Sequence, residues 1–196
     1  MSLKSKQTSM LQGVNLFLIG MMGAGKSTVG KLAAQRLGYH FIDTDDTIES
    51  YAGKSIPQIF ADSGEAEFRQ IEHNVLMQVS AYRNLVVATG GGIVVDRQNW
   101  AHLHSGVVAW LDVPIEVLHQ RLTKNNGKRP LLQVEDPMQR LTNLYNQRLS
   151  LYQQADIQVA IPDDSAAELV CDCLMAELAA AIVPDRLKQP QQPPKI

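Results

Sequence analysis

The sequence predicts an α/β fold, a parallel sheet flanked by helices, and two observations carry that prediction. Short β-rich runs alternate with longer amphipathic ones along the chain, the pattern of successive βαβ units. In addition, 196 residues with 45% hydrophobic content suit one compact core. The strand candidates are residues 14–19, 40–42, 85–88, 107–111 and 157–161. Helical patterns begin near Lys26, Thr47, Ile56, Ala66, Arg97, Ile115, Pro137 and Ser165. Residues 1–183 read as a single domain. Residues 123–136, TKNNGKRPLLQVED, are polar and basic and separate two good helices. A loop of that length inside a compact domain is either disordered or functional, and lids are a common functional case. Residues 184–196, PDRLKQPQQPPKI, are too proline-rich and polar to pack and read as a disordered tail.

Eighteen Lys and Arg against twenty Asp and Glu leave a net charge of -2. A nucleic-acid binder would carry a basic excess, so that class is disfavoured. Any positive charge for a phosphorylated ligand must be held locally. The longest apolar stretches are strand-sized, which leaves nothing to span a membrane, and MSLKSKQTSM lacks the apolar core of a secretion signal. Cys171 and Cys173 stand i,i+2 in a helical run, on different faces, so neither a disulfide nor a metal pair is expected. These features read as a reduced, cytoplasmic protein. The five histidines, His40, His73, His102, His104 and His119, share no metal-ligand spacing. His102 and His104 read as surface or loop residues, and Trp100 and Trp110 as packing residues.

Residues 20–27, GMMGAGKS, match G-x-x-x-x-G-K-[ST], follow a strand and open the helical run KSTVGKLAAQRL. Gly20, Gly23 and Gly25 let the backbone curl until its N–H groups face a phosphate, and the helix N-terminus adds positive charge there. Lys26 would reach the β- and γ-phosphates, and the Ser27 hydroxyl would sit on Mg²⁺. A glycine-rich turn with a chance lysine is the bland alternative. Such a match arises by chance roughly one time in a hundred, so nucleotide binding is the stronger reading.

The second strand ends in HFIDTDD, residues 40–46. Asp43 and Asp45 would share a face if the extended backbone continued. One could order Mg²⁺ while the other holds an acceptor hydroxyl, because ligands of parallel sheets bind at strand carboxyl ends. Helix capping competes for this set, with Asp46 or Thr44 best suited to it. The third strand runs into LVVATGGG, residues 85–92, where Gly90, Gly91 and Gly92 admit a ligand close to the backbone. Many P-loop proteins carry an acid at that place. None stands here, which moves the metal-side role to Asp43.

Taken together, GMMGAGKST, FIDTDDTIE, SIPQIF, GEAEFRQIE, ATGGG, KRPLL and NQRLSLY resemble the shikimate kinase family, in its order and over residues 14–178. The resemblance implies a five-stranded parallel sheet, a mobile lid, MgATP as phosphoryl donor and the shikimate 3-hydroxyl as acceptor. It implies an ATP site of Gly23, Ala24, Gly25, Lys26, Ser27 and Thr28, with Arg129 from RPLL meeting the transferring phosphate. Asp43 and Ser27 match the metal side, and Asp45 the acid that binds acceptor hydroxyls. Arg69 and Arg148 match the arginines that hold the shikimate carboxylate, Gly90 to Gly92 line its site, and Phe60 and Phe68 wall it. Lys26, Asp45 and Arg129 would then be the catalytic set, and a monomer is expected.

Duller roles compete. Arg69 could pair with Glu72 at i,i+3 on a helix surface. Phe68 belongs to a core stripe with Ile71, Val75 and Val79. Arg148 could be solvated. Arg121, Lys124 and Lys128 all suit the adenine contact, and spacing does not choose among them. The rival functions are another small P-loop kinase, acting on gluconate or a nucleoside monophosphate, and a nucleotide-dependent switch without an acceptor.

Overall fold

Strand β1 (Leu16–Ile19) is buried at every position, as an apolar run must be when both sheet faces are covered. The computed structural model describes residues 10–124 and 136–181. The expected tail and most of the expected lid, including Arg129, lie outside the described residues. The remaining strands are β2 (His40–Asp43), β3 (Leu85–Ala88), β4 (Val107–Asp112) and β5 (Ile157–Ala160). All neighbours pair in parallel in the order β2-β3-β1-β4-β5, so β1 is central and half-exposed β2 lies at an edge.

Seven helices accompany the sheet among the described residues: α1 (Lys26–Leu37), α2 (Thr44–Ala52), α3 (Ile56–Ser80), α4 (Arg97–Leu103), α5 (Ile115–Lys124), α6 (Pro137–Tyr152) and α7 (Ala167–Ala181). A short 3₁₀ turn, Ile93–Val95, follows the glycine segment. Helix α1 closes at Gly38, whose left-handed φ of 68° places its N–H on the Ala34 carbonyl, a C-terminal cap that glycine adopts without a Cβ penalty. The core sits between sheet and helices and includes fully buried Phe17, Leu37, Leu76, Leu103 and Tyr152. Each such side chain contributes about 1.5–3 kcal/mol by leaving water.

Several boundaries depart from the sequence reading. The first strand starts at Leu16, because Val14 is held in a turn by its N–H to the Leu11 carbonyl. Helix α2 starts at Thr44, ahead of the expected Thr47, and α7 starts at Ala167 rather than Ser165. The patterns near Ile56 and Ala66 join as α3, interrupted at Gly64 (φ 79°, ψ −179°). His102 is a partly exposed residue of α4 with its Nδ1 3.3 Å from the Ser80 Oγ, so of the surface-or-loop reading only the loop half fails for it. Trp100 and Trp110 are core residues, and Cys171 is buried while Cys173 is exposed.

Candidate active site

The phosphate loop joins β1 to α1. At Gly20 the backbone has φ 140°, and a Cβ there would stand 2.7 Å from the Leu111 carbonyl oxygen, so only glycine fits. Gly25 is the left-handed residue before α1. Lys26 is 8% exposed and its Nζ donates to the carbonyls of Gly20 and Met21, each at 2.9 Å. The ammonium therefore lies over the loop. The Ser27 hydroxyl donates to Asp43 Oδ2 at 2.5 Å, bringing the two expected metal-side residues into contact.

Asp43 ends β2, and its other oxygen, Oδ1, accepts the Asp45 N–H at 3.0 Å, capping α2. This corrects two expectations. The extended backbone does not continue to Asp45, and the cap falls to Asp43 rather than Asp46 or Thr44. Thr44 is instead fully buried, and its Oγ1 accepts the Gly90 N–H at 3.0 Å. Asp45 still reaches the glycine segment: its Oδ1 is 2.8 Å from where a Cβ on Gly90 would stand. A cavity of about 410 Å³ is lined by residues 22–29 of the loop together with Asp43, Asp45, Thr89 and Gly91. A shallower groove of about 510 Å³ beside Lys31, Phe41 and Tyr51 lies on the outer flank of Asp43 and lacks the loop's N–H groups.

The arginines lie against the glycine segment. Arg69, on the second half of α3, donates to Glu72 at 2.7 Å and Glu65 at 3.1 Å. The i,i+3 partner exists, but it is not a surface residue, since Glu72 is 1% exposed. Burial pushes the Glu72 carboxyl up, and the Arg69 charge only partly offsets that. Arg69 lies against Gly92, where a Cβ would stand 2.6 Å from its Nη1. Arg148, on α6, is half-buried rather than solvated and donates to the Gly91 carbonyl at 3.0 Å. Phe60 and Phe68 stack with ring centroids 4.6 Å apart, and Phe68 is core while Phe60 is 38% exposed.

Glu72 and Thr44 take roles other than the surface partner and the cap that the sequence suggested, and Tyr152, which the sequence did not single out, meets Gly91. Arg121 separates from the other adenine candidates: its Nη1 lies 3.4 Å from the Gly23 and Ala24 carbonyls, and its Nε donates to Asp164 at 2.8 Å. Among the described residues Lys124 reaches Asp164, at 3.5 Å, and Lys128 lies outside them.

A loop curled for phosphate packs on a glycine segment that also carries two guanidinium groups, with Asp45, the loop backbone and Arg69 occupying the space that side chains at Gly90, Gly91 and Gly92 would need. That layout belongs to the P-loop kinases, phosphotransferases with an alcohol acceptor. The family model for shikimate kinase matches residues 22–179. A shikimate kinase from Trichormus variabilis is 52% identical over 182 residues, 93% of this chain and 97% of that one. The structure of a shikimate kinase from Acinetobacter baumannii in complex with shikimate matches with a TM-score of 0.82 at 37% identity, covering 90% of this chain and 99% of the other. A gluconokinase from Sinorhizobium meliloti, at 19% identity and a TM-score of 0.53, shares the fold alone. The chain belongs to the shikimate kinase family, whose members are ATP-using kinases. Among the described residues no helix is long and apolar enough to cross a membrane.

Proposed function

We propose that this chain transfers the γ-phosphoryl group of MgATP to the 3-hydroxyl of shikimate, a step in aromatic amino-acid biosynthesis. The observation that carries the site assignment is that Arg148 donates to the Gly91 carbonyl and Arg69 lies against Gly92, in the glycine segment whose Gly91 packs on the phosphate-loop backbone. Two planar forks at one end of the acceptor recess suit a single carboxylate and fix its orientation. Shikimate has one carboxylate, with its hydroxyls on the opposite side of the ring.

The donor half follows from the loop. N–H groups of Gly23, Ala24, Gly25, Lys26, Ser27 and Thr28 hold the triphosphate, and Lys26 exchanges two carbonyl partners for phosphate oxygens. Ser27 and Asp43 supply hard oxygen donors of the kind Mg²⁺ accepts. When bound, Mg²⁺ neutralises charge on the phosphate oxygens. Asp45 orients the attacking hydroxyl and accepts its proton, while Phe60 and Phe68 wall the ring. Arg129 in this reading meets the transferring phosphate when the lid closes and excludes water. Two free thiols support a reduced, cytoplasmic setting.

The test is ADP release from MgATP with shikimate, gluconate, quinate or no acceptor. Rapid release with shikimate alone is expected. Release only with gluconate would keep the kinase and overturn the acceptor. Slow release indifferent to any acceptor would favour a nucleotide switch.

A further inference from the structure

The last residue of α6, Tyr152, is fully buried, yet its hydroxyl is not spent on the core. It donates to the Gly91 carbonyl at 2.8 Å and lies 3.4 Å from the Met21 sulfur in the phosphate loop. Arg148, one helical turn earlier, donates to the same Gly91 oxygen at 3.0 Å. A carbonyl oxygen has two lone pairs, and here both are occupied. The Tyr152 ring is fixed in turn by stacking on Trp110, with centroids 5.8 Å apart and planes 17° from parallel.

We propose that Tyr152 is a positioning residue for the acceptor arginine: its hydroxyl locks the Gly91 carbonyl, which in turn sets the Arg148 guanidinium. This rests on the reading of Arg148 as a holder of the acceptor carboxylate. Gly91 sits in a run of three glycines, the residues with most backbone freedom, and has no side chain to anchor its peptide plane. A rigid donor from beneath supplies that anchor. Burial pushes the Tyr152 phenol up, so it remains a proton donor through the neutral and mildly alkaline range. A tyrosine present only for packing would need a partner for its hydroxyl, but not one shared with a ligand-facing arginine.

Tyr152→Phe isolates the hydroxyl, because the ring and its stacking survive. Loss of one net hydrogen bond's worth of alignment should raise the shikimate KM about five- to tenfold, with the ATP KM unchanged. Arg148→Lys is the companion variant, keeping charge while losing the fork. In the double variant the combined effect should fall short of the product of the two, since both side chains act on one carbonyl and the Arg148 guanidinium also bonds the Tyr152 hydroxyl itself. An unchanged shikimate KM in Tyr152→Phe, or fully multiplicative effects, would overturn the proposal even if the melting temperature fell. If Arg148→Lys leaves the shikimate KM unchanged, the acceptor-site reading fails and this proposal fails with it. If only Tyr152→Phe is silent, the site reading stands and this proposal alone is lost.

Discussion

Replacing Arg69 by Ala should separate a stability effect from a binding effect, because the guanidinium serves two carboxylates. In the free protein it lies 2.7 Å from Glu72 and 3.1 Å from Glu65. The Glu65 side chain is 69% exposed, so that contact contributes little. The Glu72 side chain is 1% exposed, and stranding a buried carboxylate costs about 3–5 kcal/mol. Two features lower that figure. Burial already favours the protonated form of Glu72, and the Asp45 charge, which outweighs that of Arg148, favours it further. A loss of about 2–3 kcal/mol is therefore expected, or about 5–10 °C in Tm for a domain of this size. Acceptor binding should weaken separately, by about 10- to 100-fold, as charged hydrogen bonds to the carboxylate disappear. Calorimetric melting and shikimate titration of Arg69→Ala, Glu72→Gln and the double variant would resolve the two. The double variant should regain most of the lost Tm and none of the lost affinity. A double variant as unstable as Arg69→Ala would refute the buried-charge account, and unchanged shikimate affinity would remove Arg69 from the site.

Lys26→Ala should lower kcat by at least about a hundredfold, since it removes a preorganised charge at the transferring group. Arg129→Ala should do the same, and wild-type turnover in either variant would count against its role. Asp43→Asn keeps the cap on α2, because Asn caps as well as Asp, so the melting temperature should barely change. The Mg²⁺ concentration needed for half-maximal activity should nevertheless rise, and an unaltered Mg²⁺ titration would exclude Asp43 from the metal side. Burial and the nearby Asp112 carboxylate, 3.1 Å away, push the Tyr145 phenol up to about 12. A raised folded value favours the protonated form, so this contribution is complete below pH 10 and is lost as pH rises towards about 12. Tyr145→Phe should flatten that alkaline limb of the stability profile; an identical profile would rule the pair out as its source.

Features encoded locally were legible in the sequence. The phosphate loop needs only glycine spacing, a lysine and its flanking strand and helix, all within residues 14–37. Each strand was likewise marked by its own β-rich run. The start of α2 was not legible, because Asp43 becomes the cap at the junction where its second oxygen meets Ser27, sixteen residues away in sequence. Arg121 could not be told from Lys124 until the packing of α5 against the phosphate loop was known. Glu72 looked like a helix-surface partner of Arg69, since nothing at i,i+3 reveals that one member is buried. Tyr152 was visible within NQRLSLY but carried no signal of its own. Its importance depends on α6 ending beneath Gly91, a relation between residues 61 apart.

The break at Gly64 bears on how the contact between Phe60 and Phe68 is inherited. Phe60 and Phe68 are eight residues apart, and an unbroken helix would separate them by about 12 Å along its axis. Their rings are 4.6 Å apart instead. The fold-back depends on φ 79° at Gly64, a conformation that side chains resist, although a Cβ there would meet nothing within 4 Å. Free space beside Gly64 would thus suggest that it is expendable, and a mutational tolerance map should show the reverse. The pairing of the two rings is specified by a residue with no side chain of its own.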